Sequence, residues 1–319
     1  MIALSLSSCT VLSSTAREKE IVLTVGEYEV PYELYYYLSE NLKADNEDIS
    51  EKELEEKVFE MIGEMYAVFS LAEDYGISYD DEYIGSQVED AVSLAIEECG
   101  SKDDYKKALK ESYMNDSVYR FLEKHSRTAD ELLSAIISSG KYPTDDEGIA
   151  ALASSDEFIC VKQILVMSEN SVTHGEDMYF VPGEEHTEKE AQEIAEKARE
   201  KAVSGEDFDS LVKEYGESLY MFNNTDGYYV CRGMWEKENE EAVFSLEVGE
   251  VSPVVKSSSG YSVFLRCEKS DSYIKNNVDK IADDYYSAQY NILLEKRIDS
   301  LEIKKTEAYE SILAEDTTD

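Results

Sequence analysis

The hydrophobic period of this chain changes twice, and that change constrains the fold more than any single residue does. Leu54, Val58, Met61, Ile62, Met65 and Phe69 recur at steps of three and four, the spacing of an amphipathic helix. From residue 158 the stretch "FICVKQILVM" alternates and then runs apolar, as a buried strand does. After Ser270 the helical spacing returns in Val278, Ile281, Tyr285, Ala288 and Ile292. A long helix with one apolar stripe needs a partner surface, and the earlier helices are the natural candidate. The expected class is therefore α+β. A split all-helical domain, made of N-terminal helices and a C-terminal helix, would carry an inserted α+β unit.

The predicted boundaries are 1–20 for a leader and linker, 21–156 for the helical domain, 157–270 for the inserted unit and 271–319 for the C-terminal helix. That last helix is expected to pack on the helical domain and to fray after Ala314. "IVLTVGEYEVPYELYYYLSENL" reads as a short strand, a turn and a helix begun by Pro31. Further helices are predicted over 80–98, 102–113, 115–124 and 127–138, so residues 24 to about 155 read as helical. In the inserted unit, Thr187 and Glu190 form a T-x-x-E capping box. Phe208, Leu211, Val212 and Tyr215 mark one side of a second short helix. Strands follow near 227–231, 251–256 and 261–268, with a helix around 237–246.

Composition narrows the function classes. Of 319 residues, 30 are Lys or Arg and 71 are Asp or Glu, a formal charge of -41. Such a surface repels phosphate backbones and anionic lipid headgroups, which argues against nucleic-acid binding. No run approaches the ~20 apolar residues of a transmembrane helix. The count of 24 tyrosines is high. At helical spacing these read mainly as core, and those left exposed would make adaptable contacts with unfolded chains.

The leader "MIALSLSSCTVLSSTAREKE" carries Leu6-Ser7-Ser8-Cys9, similar to the lipobox of a bacterial lipoprotein, whose cysteine takes the lipid. It lacks a basic residue ahead of a short apolar run, as if the true start lay upstream. One lipid would tether the protein rather than span a membrane. Cys99, Cys160, Cys231 and Cys267 form no C-x-x-C pair, so a zinc knuckle or thioredoxin-like site is unsupported. They read as small core residues, with a disulfide among them left open. His174, Glu176, Asp177, Glu184, Glu185 and His186 crowd one loop, yet their spacing matches no zinc or calcium motif. No metal or cofactor is expected.

Residues 157–270 resemble the parvulin-type (PpiC) peptidyl-prolyl isomerase domain, through "VKQILV", "SGEDFDSLVKEYGES", "DGYYVCRG" and "EEAVFSLEVGEVSPVVKSSSGYSVFLR". With the lipobox, helical segment and returning helix, the whole is similar to export foldases of the PrsA and SurA type. The resemblance implies folding assistance to unfolded or proline-containing exported polypeptides. The chain would sit outside the cytoplasm of a Gram-positive-type cell, held by a lipid anchor, with its oligomeric state open and a dimer among the options. It also implies two histidines, an acid or cysteine between them, and a Met/Phe proline pocket.

Those positions have changed. The family's histidines fall on Gln163 and Ser262, its acid or cysteine on Ser218, its pocket methionine on Trp235 and its pocket phenylalanine on Asn239. Met234 and Phe244 complete the candidate substrate-binding set. Neutral amides and hydroxyls can still donate hydrogen bonds, so an active isomerase with a Gln/Ser/Ser centre is one alternative. A structural surface lipoprotein without catalysis is another. The favoured expectation is a foldase with a degenerate active site, because an amide where the family has an apolar wall gives the proline ring a wetter surface.

Overall fold

The computed structural model describes residues 19–316, except 47, 170, 172–185 and 225. Cys9 and the polar end beyond 316 lie outside those residues, as does the acidic loop apart from His186. The chain forms two compact units. One runs through Ser138 and resumes at Leu293; the other is Ser139–Ile292.

The first unit is not all-helical. Strands β1 (Ile21–Val25) and β2 (Tyr28–Pro31) make a hairpin, and β7 (Ile303–Lys305) adds antiparallel to β1, giving the order β2-β1-β7. β7 is three residues long and two of them are lysines, so no alternation could announce it. Pro31 ends β2 and leads into α1 (Tyr32–Asp45) as expected, its extended backbone feeding the helix. Helix α2 (Glu51–Asp74) starts where Ser50 accepts from the Glu53 amide, and α3 (Glu82–Cys99) where Asp81 accepts from Tyr83 and Ile84. Such caps satisfy amides that a helix start leaves without partners.

Helix α4 (Lys102–Glu111) follows. Then α5 (Asp116–Ser138) runs unbroken through the interruption predicted near residue 125. Nothing there is Gly or Pro, and Thr128 returns its hydroxyl to the Lys124 carbonyl within the helix. Tyr28, Tyr66, Phe69, Tyr79 and Phe121 pack ring against ring in this core. Tyr309, from α13 (Glu307–Asp316), is buried and donates to Glu55 at 2.6 Å. Tyr36, Tyr83 and Tyr113 stay exposed, so the tyrosines divide between core and surface.

The second unit is a four-stranded antiparallel sheet, order β4-β3-β6-β5, with β3 Ile159–Val166, β4 Tyr228–Val230, β5 Val255–Ser257 and β6 Gly260–Cys267. Helix α6 (Asp146–Ser154) precedes it. On one face lie α7 (Glu188–Val203) and α8 (Phe208–Tyr215), whose Ala191, Ala195, Ala198, Leu211 and Val212 join Ile164, Val166 and Val263. The Thr187–Glu190 capping box starts α7 as predicted. On the other face lies α10 (Lys237–Phe244), bringing Val243 onto Ile159, Val161 and Phe264. Short α9 (Leu219–Asn223) and α11 (Asp271–Asn276) flank the sheet, and α12 (Val278–Ser300) leads out of this unit into the first. The reading of the cysteines as core needs one correction: Cys99, at the end of α3, is exposed, while Cys160 and Cys231 are buried. Among the described residues no helix is long and apolar enough to cross a membrane.

Candidate functional site

Strand alternation divides the sheet residues between two faces, and Gln163, Ser262 and Phe264 fall on the α10 side. In the ladder Gln163 lies opposite Phe264 and Leu165 opposite Ser262. Gln163 and Ser262 are thus diagonal neighbours on one face. The Gln163 Nε2 donates to Ser262 Oγ at 2.9 Å. Ser262 is fully buried and Gln163 half-buried. The polar pair in a greasy strand is therefore a linked pair.

Trp235 covers this region. Its ring stacks on Phe264, centroids 5.6 Å apart at 29°, and meets Tyr228 edge to face at 5.3 Å. Tyr220 stacks on Tyr228 at 4.6 Å and 17°. These four rings form a continuous aromatic wall beside the Gln163–Ser262 pair. The turn that holds Trp235 is fixed by Glu240, whose Oε1 accepts from the amides of Gly233 at 2.6 Å and Trp235 at 3.1 Å. Gly233 has φ +90 and a side chain there would meet the Ala288 carbonyl at 2.6 Å, so this position needs glycine. Glu236 fixes the far side, accepting from the Ser258 amide at 3.1 Å and from its hydroxyl.

The remaining predicted residues are placed less tightly. β4 ends its pairing at Val161, and beyond it the segment from Glu217 to Met221 runs along the vacated edge of β3. The Glu217 amide donates to the Leu165 carbonyl at 2.9 Å, and the Gln163 amide points to Met221 Sδ at 3.3 Å. Ser218 is buried within this segment, and its hydroxyl makes no side-chain hydrogen bond among the described residues. It lies along the same edge without joining the Gln163–Ser262 pair. Asn239 is buried on α10 and its Oδ1 has no hydrogen-bond partner among the described residues. Phe244 packs against the core of this face and under the Arg232 guanidinium at 4.3 Å. Met234 turns back on its own loop, where its sulfur receives the Cys231 amide at 3.2 Å.

Tyr220, Tyr228, Phe264 and Glu240 were not singled out as site residues from sequence. Tyr228 and Phe264 stood inside quoted strands, where an aromatic reads as ordinary core; only the two-face register makes them a wall. The signal for Glu240 was its spacing of seven from Gly233, too common to notice in so acidic a chain. His186, the one described histidine of this unit, lies 3.1 Å from Glu217 Oε1, at the strand edge and apart from the polar pair. No cluster of three metal-ligating side chains occurs among the described residues. The Gln163, Ser218 and Ser262 set offers hydrogen-bond donors and acceptors and no group that exchanges a proton near neutral pH.

Comparison with known proteins matches this unit. The family described as "Rotamase: PPIC-type PPIASE domain" aligns with residues 178–268. A foldase protein PrsA of Staphylococcus aureus (strain MRSA252) is 29% identical over 253 residues, covering 77% of this chain and 67% of that protein. The PrsA foldase of Halalkalibacterium halodurans is 36% identical over 89 residues, 28% of this chain and 27% of its own length. The solved PrsA peptidylprolyl isomerase of Bacillus anthracis is 21% identical, covers 75% of this chain and 96% of that one, and superposes with a TM-score of 0.32. The matched stretch takes in α7, α8, β4, α10, β5 and β6 of this unit, and the chain is similar there to the parvulin-type (PpiC) peptidyl-prolyl isomerases and, over most of its length, to the PrsA foldases.

Proposed function

We propose that this protein is an extracytoplasmic foldase whose parvulin unit holds extended client polypeptide and has lost efficient prolyl isomerisation. The observation that carries this reading is the Gln163–Ser262 hydrogen bond at 2.9 Å, lying where the family resemblance calls for two imidazoles. Rotation about an X-Pro bond must break amide resonance against a barrier of ~18–20 kcal/mol. An isomerase lowers it by favouring the twisted amide over the planar one. Here the amide and hydroxyl satisfy each other, so a substrate would have to displace that bond before either could act on it.

Binding asks for less. The wall of Tyr220, Tyr228, Trp235 and Phe264 supplies rigid apolar area at small entropic cost, and half-buried Trp235 can lie against a proline ring or an aliphatic side chain. Exposed Tyr36, Tyr83 and Tyr113 of the first unit would add contacts of the same kind. The formal charge of -41 would keep the loaded protein soluble. Cys9 would take the lipid that tethers the chain outside the cell membrane. Clients are unfolded or proline-containing exported polypeptides, and no cofactor takes part.

The test pairs two measurements on the full chain. Isomerisation of proline tetrapeptides should stay close to its uncatalysed rate, while equimolar protein slows aggregation of a denatured test protein at moderate salt. Turnover at the pace of histidine-bearing parvulins, abolished by Trp235→Ala, would sink the degenerate-site reading. Failure to slow aggregation would remove the holding role.

A further inference from the structure

Cys160 opens the inner strand pair of the sheet and Cys267 closes it, and the ladder makes them direct partners across β3 and β6. We propose that Cys160 and Cys267 form a disulfide that staples β3 to β6 and fixes the frame of the two strands carrying Gln163 and Ser262. Directly opposed residues of an antiparallel pair have Cα atoms about 4.5–5.5 Å apart, inside the roughly 4.4–6.8 Å span that a disulfide bridges. Both side chains emerge on the same face, and their Sγ atoms lie 2.6 Å apart, closer than two unbonded thiols rest. Among the described residues no other cysteine competes. Cys99 is exposed in the other unit, and Cys231 follows β4 while Cys160 pairs with Tyr229.

The pair is also chemically unequal, which gives the exchange a direction. Cys160 is buried and Cys267 half-buried. A hydrogen bond from Cys160, with the nearby Lys162 ammonium, holds the Cys267 thiol below its usual range. The same hydrogen bond and burial push Cys160 up. Cys267 is the attacking group, since the thiolate is the nucleophile. Its sulfur attacks a low-molecular-weight disulfide R–S–S–R, breaking the S–S bond and releasing RS⁻. Cys160 gives its proton to that thiolate and attacks the Cys267 sulfur, expelling the second RS⁻, which takes a proton from water as Cys267 gave one. Two protein thiols and one R–S–S–R become one protein disulfide and two RSH.

The bond would join positions 107 residues apart and enclose all four strands in one loop. Cross-linking restricts the unfolded chain more as the loop lengthens. The position matters too. Cys160 lies three residues before Gln163, and Cys267 lies five after Ser262, so a staple at this end opposes slippage of the register that brings them together.

The full chain, incubated with glutathione disulfide, is unfolded in an alkylating agent without reductant, digested and mapped by mass spectrometry. The expected result is one linked peptide containing Cys160 and Cys267, two hydrogens lighter than its separate halves and lost on reduction, with Cys99 and Cys231 recovered alkylated. Burial pushes the Cys231 thiol up to about 12, so it should label only after unfolding. Reduction should lower the melting temperature of this unit by on the order of 10 °C. A Cys160→Ser/Cys267→Ser double variant should melt at the same temperature with and without reductant. Recovery of both cysteines as alkylated thiols, or linkage of either to another cysteine, overturns the proposal. The mapping uses the unaltered chain and does not depend on whether a variant folds, nor on whether the protein acts as a foldase.

Discussion

The two faces of the four-stranded sheet share the same strands and differ in how they are finished. On the α7 side, Ile164, Val166 and Val263 meet Ala191, Ala195 and Ala198, all fully buried. The small alanines let the helix approach closely, and the polar residue of that face, Lys162, is paired with Asp209 at 2.6 Å. On the α10 side the strands carry Gln163 and Ser262, and the covering helix carries Asn239 with a buried oxygen left unpartnered among the described residues. One face is arranged for cohesion. The other keeps polar groups inside an aromatic wall, as a binding surface does.

The largest effect should come from breaking the cohesive face. Ile164→Ala removes a fully buried side chain from between helix and sheet and should cost about 2–5 kcal/mol in urea unfolding of the full chain. A loss below about 1 kcal/mol would mean that the α7 face is loosely packed and that the contrast between faces is false.

Asn239 sharpens the contrast from the other side. A buried polar atom without a partner costs about 1–3 kcal/mol, so Asn239→Leu, of similar size, should stabilise the protein by roughly 1 kcal/mol and, by restoring an apolar wall, strengthen client holding. Stabilisation with unchanged aggregation suppression would separate Asn239 from binding. A destabilised variant would show that the amide has a bound water as its partner.

The contrast also explains what could be read from sequence. The α7 face was legible because cohesion is periodic: the T-x-x-E start, Ala191, Ala195 and Ala198 on one helix face, and Ile164 and Val166 on one strand face all follow from spacing. The resemblance to parvulins placed Gln163 and Ser262 as counterparts of the histidines, and their hydrogen bond joins those two positions. The wall was not legible, since Tyr220, Tyr228, Trp235 and Phe264 come from four separate segments that only register and turn geometry bring together. The small sheet of the first unit failed for another reason. β7 offers one apolar residue, Ile303, and its pairing with β1 reaches across most of the chain, beyond any local pattern.

A smaller effect should come from the polar pair. Gln163→Ala, Ser262→Ala and the double variant form a cycle whose coupling should be about 0.5–1.5 kcal/mol, the net worth of one hydrogen bond. Coupling near zero would mean that the two side chains do not hold each other in solution, freeing both to act on a substrate. The reading of a self-satisfied pair would then fail, and peptide assays with the single variants would show which group engages the amide.

The smallest expected change is in the pH dependence of client holding. A site built on two imidazoles changes charge close to pH 6.5, whereas Gln163, Ser218, Ser262, Asn239 and Trp235 keep one charge state from pH 5.5 to 8. Aggregation suppression by this unit should therefore stay level across that range. His186 lies nearby, 3.1 Å from Glu217 at the edge of β3, where Glu217 also receives the Met167 amide at 2.6 Å. A pH dependence that disappears in His186→Gln would shift client contact from the aromatic wall to that strand edge. A slope that persists in the variant would place a titrating group on the α10 face itself, against the all-neutral character on which the difference between the two faces depends.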